Sequence, residues 1–224
     1  MRDFFSLSKQ NWIKAFQTPS FRKTFIPGCI LVGGILSGMP FFFQAIEKRN
    51  GTVLNDWILG QLPSHNFSVP IFILIWSLAL LTLIRAIKDP YIFLVFIWSY
   101  IFVTLLRAVS ITFFPLNPPA GIVLLIDPLS NTFYGKANIT KDLFFSGHTS
   151  TIFLMFLCLK KKTDKLLTLA GTIILAGLLL VQHIHYAIDV FAAPFFTYFS
   201  YLVGKKIVNP PKSNDNSSKG LSQL

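Results

Sequence analysis

The chain has 224 residues, of which 53% are hydrophobic and 13% charged, about half the charged share of an ordinary soluble domain. Its mean hydropathy is +0.59, and the apolar residues are gathered in long runs, which excludes a soluble globular class and points to a polytopic membrane protein. The net charge of +11 does not indicate a nucleic-acid partner, because the basic residues stand at the ends of apolar runs, as juxtamembrane charges do.

In chain order, residues 1–24 mix aromatic and basic side chains ("FFSLSKQNWIKAFQTPSFRK") and read as an amphipathic segment in the membrane interface. Six runs then meet or approach the roughly 20 apolar residues that a span needs: 25–46, 68–88, 91–114, 145–160, 166–187 and 188–206. The first is too long for the apolar core of a signal peptide and reads as a retained span. Its Gly34 and Gly38 form a GxxxG step, read as helix packing. The last two runs are joined by "HIHYAIDVFAAPFF". Both cysteines, Cys29 and Cys158, lie inside apolar runs and make no disulfide framework. The tail is polar and Pro-initiated, and is expected to be disordered. The expected architecture is all-α: a six-helix transmembrane domain over 25–207, between the interfacial segment 1–24 and a tail over 208–224.

Charge orients these spans. With six crossings, one side receives Arg2, Lys9, Lys14, Arg22, Lys23, Arg85, Lys88, Lys160, Lys161, Lys162, Lys165, Lys205, Lys206, Lys212 and Lys219, which are 15 of the 20 basic residues. The other side receives Lys48, Arg49, Lys136 and Lys141, and Arg107 stays inside a span. By the positive-inside rule both termini are expected in the cytoplasm.

Of the four histidines, His65 falls in the first outer loop. His148 opens the fourth span, and His183 and His185 close the fifth, so both groups reach the same, non-cytoplasmic face. Ionisable groups in spans are costly and are functional candidates by default. Around His148, Ser146 is a good N-cap and Gly147 allows close backbone approach. The amides of that first helical turn suit an anion such as phosphate; the plainer alternative is a capped helix whose histidine faces the interface. His185 and Asp189 are spaced i, i+4 and share one face if a helix runs through both. A carboxylate so placed fixes the imidazole tautomer and leaves the other nitrogen nucleophilic; the plainer alternative is a structural pair joining helix ends. His183, two positions away, is read as a packing or supporting residue. Together these residues suit phosphoryl transfer through a phosphohistidine.

Four segments carry a resemblance to a known family. "DLFFSGHT" resembles a D-x-x-x-F-S-G-H-T motif and "HIHYAIDV" an H-Y-x-x-D-V motif. "LLRAVSITFFPLNPP" resembles a third-span segment with an arginine followed by P-x-P, and "VLNDW" a degraded P-L-P-D. Through these segments the chain resembles the type 2 phosphatidic acid phosphatase superfamily, and within it the sphingomyelin synthase-related branch, over about residues 25–206. The resemblance implies that His185 is the nucleophile, Asp189 its orienting carboxylate and His148 the acid and base. It implies substrate-binding roles for Asp56, Arg107, Asp142, Ser146, Gly147 and Tyr186, with Asp142 on the outer approach or, alternatively, capping the next helix.

The departures bear on substrate. Ordinary lipid phosphatases of the superfamily carry K-x6-R-P, P-S-G-H and S-R-x5-H-x3-D. Here the first motif is missing, Phe145 stands for the proline and Leu179 for the last arginine. A phosphodiester headgroup carries one fewer charge than a phosphate monoester and needs fewer cationic clamps. The expected activity is therefore headgroup transfer or phospholipase C-like cleavage of a membrane phospholipid, with diacylglycerol leaving and ceramide or water accepting. The alternatives are a lipid phosphate phosphatase and a non-catalytic transporter or scaffold. No cofactor or metal is expected, since no carboxylate cluster has two-metal spacing.

Overall fold

The structure is a computed structural model that describes residues 2–125 and 139–210. Its elements are α1 (Arg2–Gln17), α2 (Pro19–Glu47), a 3-10 turn (Leu59–Gln61), α3 (Ser68–Lys88), α4 (Pro90–Phe113), α5 (Gly147–Cys158), α6 (Lys162–Val181) and α7 (Ala187–Val208). Among the described residues there is no strand, only an isolated parallel bridge between Thr52 and Leu116. The chain is all-α, with helices α2, α3, α4, α6 and α7 long and apolar enough to cross a membrane. The tail expected to be disordered lies, from residue 211 on, outside the described residues.

The fourth expected span departs from the reading of the sequence. It is α5, a helix of 12 residues, about 18 Å long at the helical rise, against about 30 Å of hydrocarbon. Residues 142–146 approach it in non-helical form. Irregular backbone at membrane depth is tolerated only where protein covers it, and Leu143, Phe145 and Ser146 are buried. Their backbone groups are partnered: Phe145 O accepts from Arg107 Nε at 3.0 Å, Phe144 O accepts from Ser110 Oγ at 2.7 Å, and Ser146 N donates to Asp189 O at 2.9 Å. Hydropathy sees the greasy side chains here and misses the polar partners that hold the backbone open.

The boundary between the last two spans is also earlier than expected. α6 stops at Val181 and α7 begins at Ala187, and His183 between them has a left-handed φ of 54°, which a continuing helix excludes. At the other end of the chain α2 starts at Pro19, whose ring suits a first helical turn, rather than at residue 25.

The helices have two distinct ends. Asn11 Nδ2 and Trp12 Nε1 of α1 donate to Lys88 O and Ile87 O, both at 2.9 Å. Arg85 pairs with Asp164 at 2.6 Å, and Lys160 with Asp89 at 2.5 Å. Ala15, Ala86, Cys158 and Val208 share one apolar cluster. The start of the chain, the α3–α4 and α5–α6 turns and the end of α7 therefore meet at one basic end. The loops 48–67 and 114–125, the segment 139–146 and the 182–186 turn gather at the opposite end.

α4 is the central helix and packs on α2, α3, α5 and α7. Lipid tails are as apolar as any core, so close fit rather than transfer from water holds such helices together. The fit is tightest against α7: a Cβ on Gly204 would lie 2.4 Å from Ser99 Oγ and 2.6 Å from Ser99 N. Nearer the opposite end, Val103, Phe145 and Ala193 form a cluster with Phe196, and the Phe145 and Phe196 rings stack with centroids 4.7 Å apart. This cluster forms the floor beneath the polar residues described next.

Candidate active site

His185 and Asp189 meet because of how α7 begins. Tyr186 is the N-cap of α7 and Asp189 its third residue, in a capping box. Asp189 Oδ2 accepts from the Tyr186 amide at 3.2 Å and faces His185 Nδ1 at 3.4 Å. The i, i+4 contact thus arises across a helix start, not along one helical face. Asp189 is fully buried and His185 nearly so. A carboxylate only accepts, so His185 Nδ1 is the donor and Nε2 is left as the basic nitrogen. Asp189 Oδ1 has no partner among the described residues.

His148 lies on the first turn of α5, half-buried. Its ring centroid is 6.3 Å from that of His185, with the planes inclined at 63°. One substrate group making contacts of about 2.8 Å to each ring would bridge that gap. Ser146 Oγ accepts from Thr149 N at 3.3 Å and from Thr149 Oγ1 at 3.1 Å, so this buried side chain serves as the helix cap.

Arg107 brings α4 into the same place. Its guanidinium donates through Nε to Phe145 O at 3.0 Å and through Nη2 to Asp142 Oδ1 at 2.5 Å. It lies flat against Gly147, where a Cβ would stand 2.6 Å from both Cζ and Nη1. Glycine is required here for the approach of the guanidinium. Asp142 does not cap α5; it holds Arg107. Six residues of α4 follow Arg107, so the site is sunk about 9 Å below the end of that helix.

Asp56 and Tyr186 sit just above. Asp56 Oδ2 accepts from the Ala187 amide at 2.6 Å, and Oδ1 from the Ile58 and Leu59 amides at 2.9 and 3.2 Å. The Tyr186 hydroxyl donates to Asn117 O at 2.9 Å and accepts from Leu54 N at 3.1 Å. Burial pushes this hydroxyl above the ordinary tyrosine range. The polar atoms of both residues are therefore directed at the protein's own backbone. His183, read as a supporting residue, makes contacts of 2.9 Å from Nδ1 to Ala120 O and 3.0 Å from Nε2 to Leu62 O. His65 contacts Pro63 O at 3.2 Å, in its own loop.

The geometry thus gathers His148, His185, Asp189, Arg107, Asp142 and Gly147 at one point, with Ser146 beneath and Asp56 and Tyr186 bracing the turn. Reading the sequence missed several residues that hold this assembly. Gln182 accepts from Phe67 N at 3.0 Å and donates to Ser68 Oγ at 2.9 Å and Val123 O at 3.2 Å. Ser110 ties Phe144 to α4. Glu47 accepts from the Thr140 and Lys141 amides, both at 3.1 Å. The only sequence signal for these was a polar residue beside an apolar run. Among the described residues, no three His, Cys, Asp or Glu side chains converge as metal ligands.

No curated protein matches the chain. Residues 141–206 match the family model described as PAP2 superfamily C-terminal. The matched segment holds α5, α6 and most of α7, and so contains Asp142, Ser146, Gly147, His148, His185, Tyr186 and Asp189, while Arg107 and Asp56 come from outside it. The match supports placing the chain in the type 2 phosphatidic acid phosphatase superfamily, and with it an activity of the lipid phosphatase or phosphotransferase type.

Proposed function

We propose that the protein transfers or hydrolyses the phospho-headgroup of a membrane phospholipid through a phosphohistidine, as the sphingomyelin synthase-related branch does. His185 Nε2 attacks phosphorus while its Nδ1–H donates to Asp189. The bond from phosphorus to the diacylglycerol oxygen breaks, and protonated His148 gives its proton to that oxygen. In the second half, neutral His148 takes a proton from the acceptor, ceramide or water. The acceptor oxygen attacks phosphorus and the bond to His185 Nε2 breaks, which restores both rings. Arg107, Asp142 and Gly147 form the phosphate-receiving wall, and Ser146, Asp56 and Tyr186 hold the reacting residues in register.

One observation carries the choice of a phosphodiester. The guanidinium at the site, Arg107, is paired with Asp142 at 2.5 Å, so its charge is largely answered before substrate arrives. A monoanionic diester fits that balance better than a dianionic monoester. We further infer from the charge bias that both termini are cytoplasmic and that the site opens on the opposite face. The direct test incubates purified protein with labelled phosphatidylcholine and phosphatidylethanolamine, with and without ceramide. Diacylglycerol release from an intact phospholipid is expected. Phosphate release from phosphatidic acid, with no turnover of either diester, would establish a lipid phosphatase instead.

A further inference from the structure

We propose that Glu47, the last residue of α2, is a positioning residue that sets the Asp142–Arg107 pair and thereby the charge of the phosphate that the site accepts. The proposal rests on the phosphoryl-transfer reading above for what is accepted, but not for what Glu47 holds. α2 otherwise lies at the edge of the bundle, and its Gly33, Gly34 and Gly38 meet nothing within 4 Å. Its end beside the site is different. The Glu47 carboxylate accepts three hydrogen bonds from two consecutive residues: Thr140 N, Thr140 Oγ1 and Lys141 N. The next residue is Asp142.

The same corner is tied to α4. Arg49 donates through Nη2 to Ile111 O at 2.9 Å and through Nη1 to Thr112 O at 3.2 Å. Lys141 Nζ donates to Arg49 O. Ile111 lies one helical turn beyond Arg107, on the same face. Residues 47–49 therefore clamp both partners of the pair, from the Asp142 side through Thr140 and Lys141, and from the Arg107 side through the end of α4. A carboxylate matters here because it accepts several bonds at once and strengthens each by its charge. An amide oxygen can still accept from the Thr140 and Lys141 amides, but its NH2 turns toward Thr140 Oγ1, which must reverse from donor to acceptor, and the charge that strengthened all three bonds is lost. The segment 140–142 then loses its fixed height, and Asp142 no longer meets Arg107 squarely. A partly released guanidinium favours a dianion.

The test compares Glu47→Gln, Asp142→Asn and the double variant with the parent protein, all purified in the same detergent. The readout is the ratio of phosphatidic acid turnover to phosphatidylcholine turnover, together with amide hydrogen exchange over residues 140–145 without substrate. Glu47→Gln is expected to raise exchange in that segment. It should also shift the ratio toward phosphatidic acid by about tenfold, the equivalent of one charge-assisted hydrogen bond. The double variant should shift it no further than Asp142→Asn alone, because both changes act through one pair. A purely structural Glu47 would lower the melting temperature and leave the ratio unchanged, and that result overturns the proposal. So would additive shifts in the double variant, or unchanged exchange. If the parent turns over neither lipid, the functional reading falls, and exchange alone decides whether Glu47 holds the segment.

Discussion

A single carboxylate oxygen of Asp189 serves both the Tyr186 amide, at 3.2 Å, and the His185 ring, at 3.4 Å. The start of α7 and the orientation of the candidate nucleophile are thus one structural event. Asp189→Asn keeps an oxygen that can cap the helix, but its amide group no longer answers a developing imidazolium. The variant should fold with a melting temperature near the parent's and lose on the order of 10²–10⁴ in rate. Thermal unfolding and turnover on the same preparation check this, and a rate within a few-fold of the parent would remove Asp189 from the mechanism.

Arg107 and Asp142 give the second prediction. Removing the acid exposes the guanidinium charge, so Asp142→Asn should raise phosphatidic acid turnover relative to phosphatidylcholine turnover. Arg107→Lys should lower both, because the flexible ammonium cannot reproduce the fork that meets Phe145 O and Asp142 together. A ratio in Asp142→Asn that stays at the parent's value would show that the pair does not govern charge preference.

Two glycines separate site from scaffold. A methyl group at Gly147 meets a guanidinium pinned by two hydrogen bonds, whereas one at Gly204 meets the backbone of Ser99 on α4. Gly204→Ala should cost about 1–3 kcal/mol of stability by forcing α4 and α7 apart. Gly147→Ala should displace Arg107 and cost activity with a smaller stability loss. Paired melting and turnover measurements test the contrast; equal stability losses with unchanged turnover in Gly147→Ala would contradict it.

Much of this arrangement was legible in the sequence, for identifiable reasons. Apolar runs longer than about 20 residues have few soluble uses, which made α2, α3, α4, α6 and α7 readable. Serine before Gly147 and His148 predicted the start of α5 because a cap is a local device. The length of α5 was not readable, since the backbone of 142–146 is held by Arg107, Ser110 and Asp189 from distant helices. His185 and Asp189 do meet, at 3.4 Å, but not along one helical face: the left-handed His183 ends the helix before them. Glu47 and Gln182 were missed because their partners lie 93 and 115 residues away in sequence, and no local pattern encodes such contacts.

Orientation yields a further prediction. Ser64 lies in an exposed loop at the site end and Lys161 in an exposed turn at the basic end. In a variant lacking Cys29 and Cys158, a cysteine at position 64 should react with a membrane-impermeant maleimide in intact cells. A cysteine at position 161 should react only after permeabilisation, because basic turns stay in the cytoplasm. Labelling of position 161 from outside would invert the topology and place the site on the cytoplasmic face.

The covalent intermediate distinguishes catalysis from packing. His148 and His185 lie 6.3 Å apart by ring centroid, and the Asp189 contact leaves His185 Nε2 as the basic nitrogen, the atom that the proposed mechanism uses as nucleophile. Phospholipid carrying a labelled headgroup phosphate should therefore leave label on the protein in a short quench. The bond should be acid-labile and base-stable, as a phosphoramidate is. His185→Ala should abolish both labelling and turnover. His148→Ala should slow both half-reactions, since the leaving alkoxide loses its acid and the acceptor its base. Label then builds up slowly and also decays slowly, with no change in its chemical lability. His185→Ala leaves a cavity beside the buried Asp189 carboxylate and is expected to melt lower than the parent, so a single cooperative melt and monodisperse elution are the control that each variant is folded. Full turnover by folded His185→Ala protein would end this mechanism whichever lipid serves as substrate, and label that survives acid but not base would move the covalent bond to a carboxylate or hydroxyl elsewhere in the site.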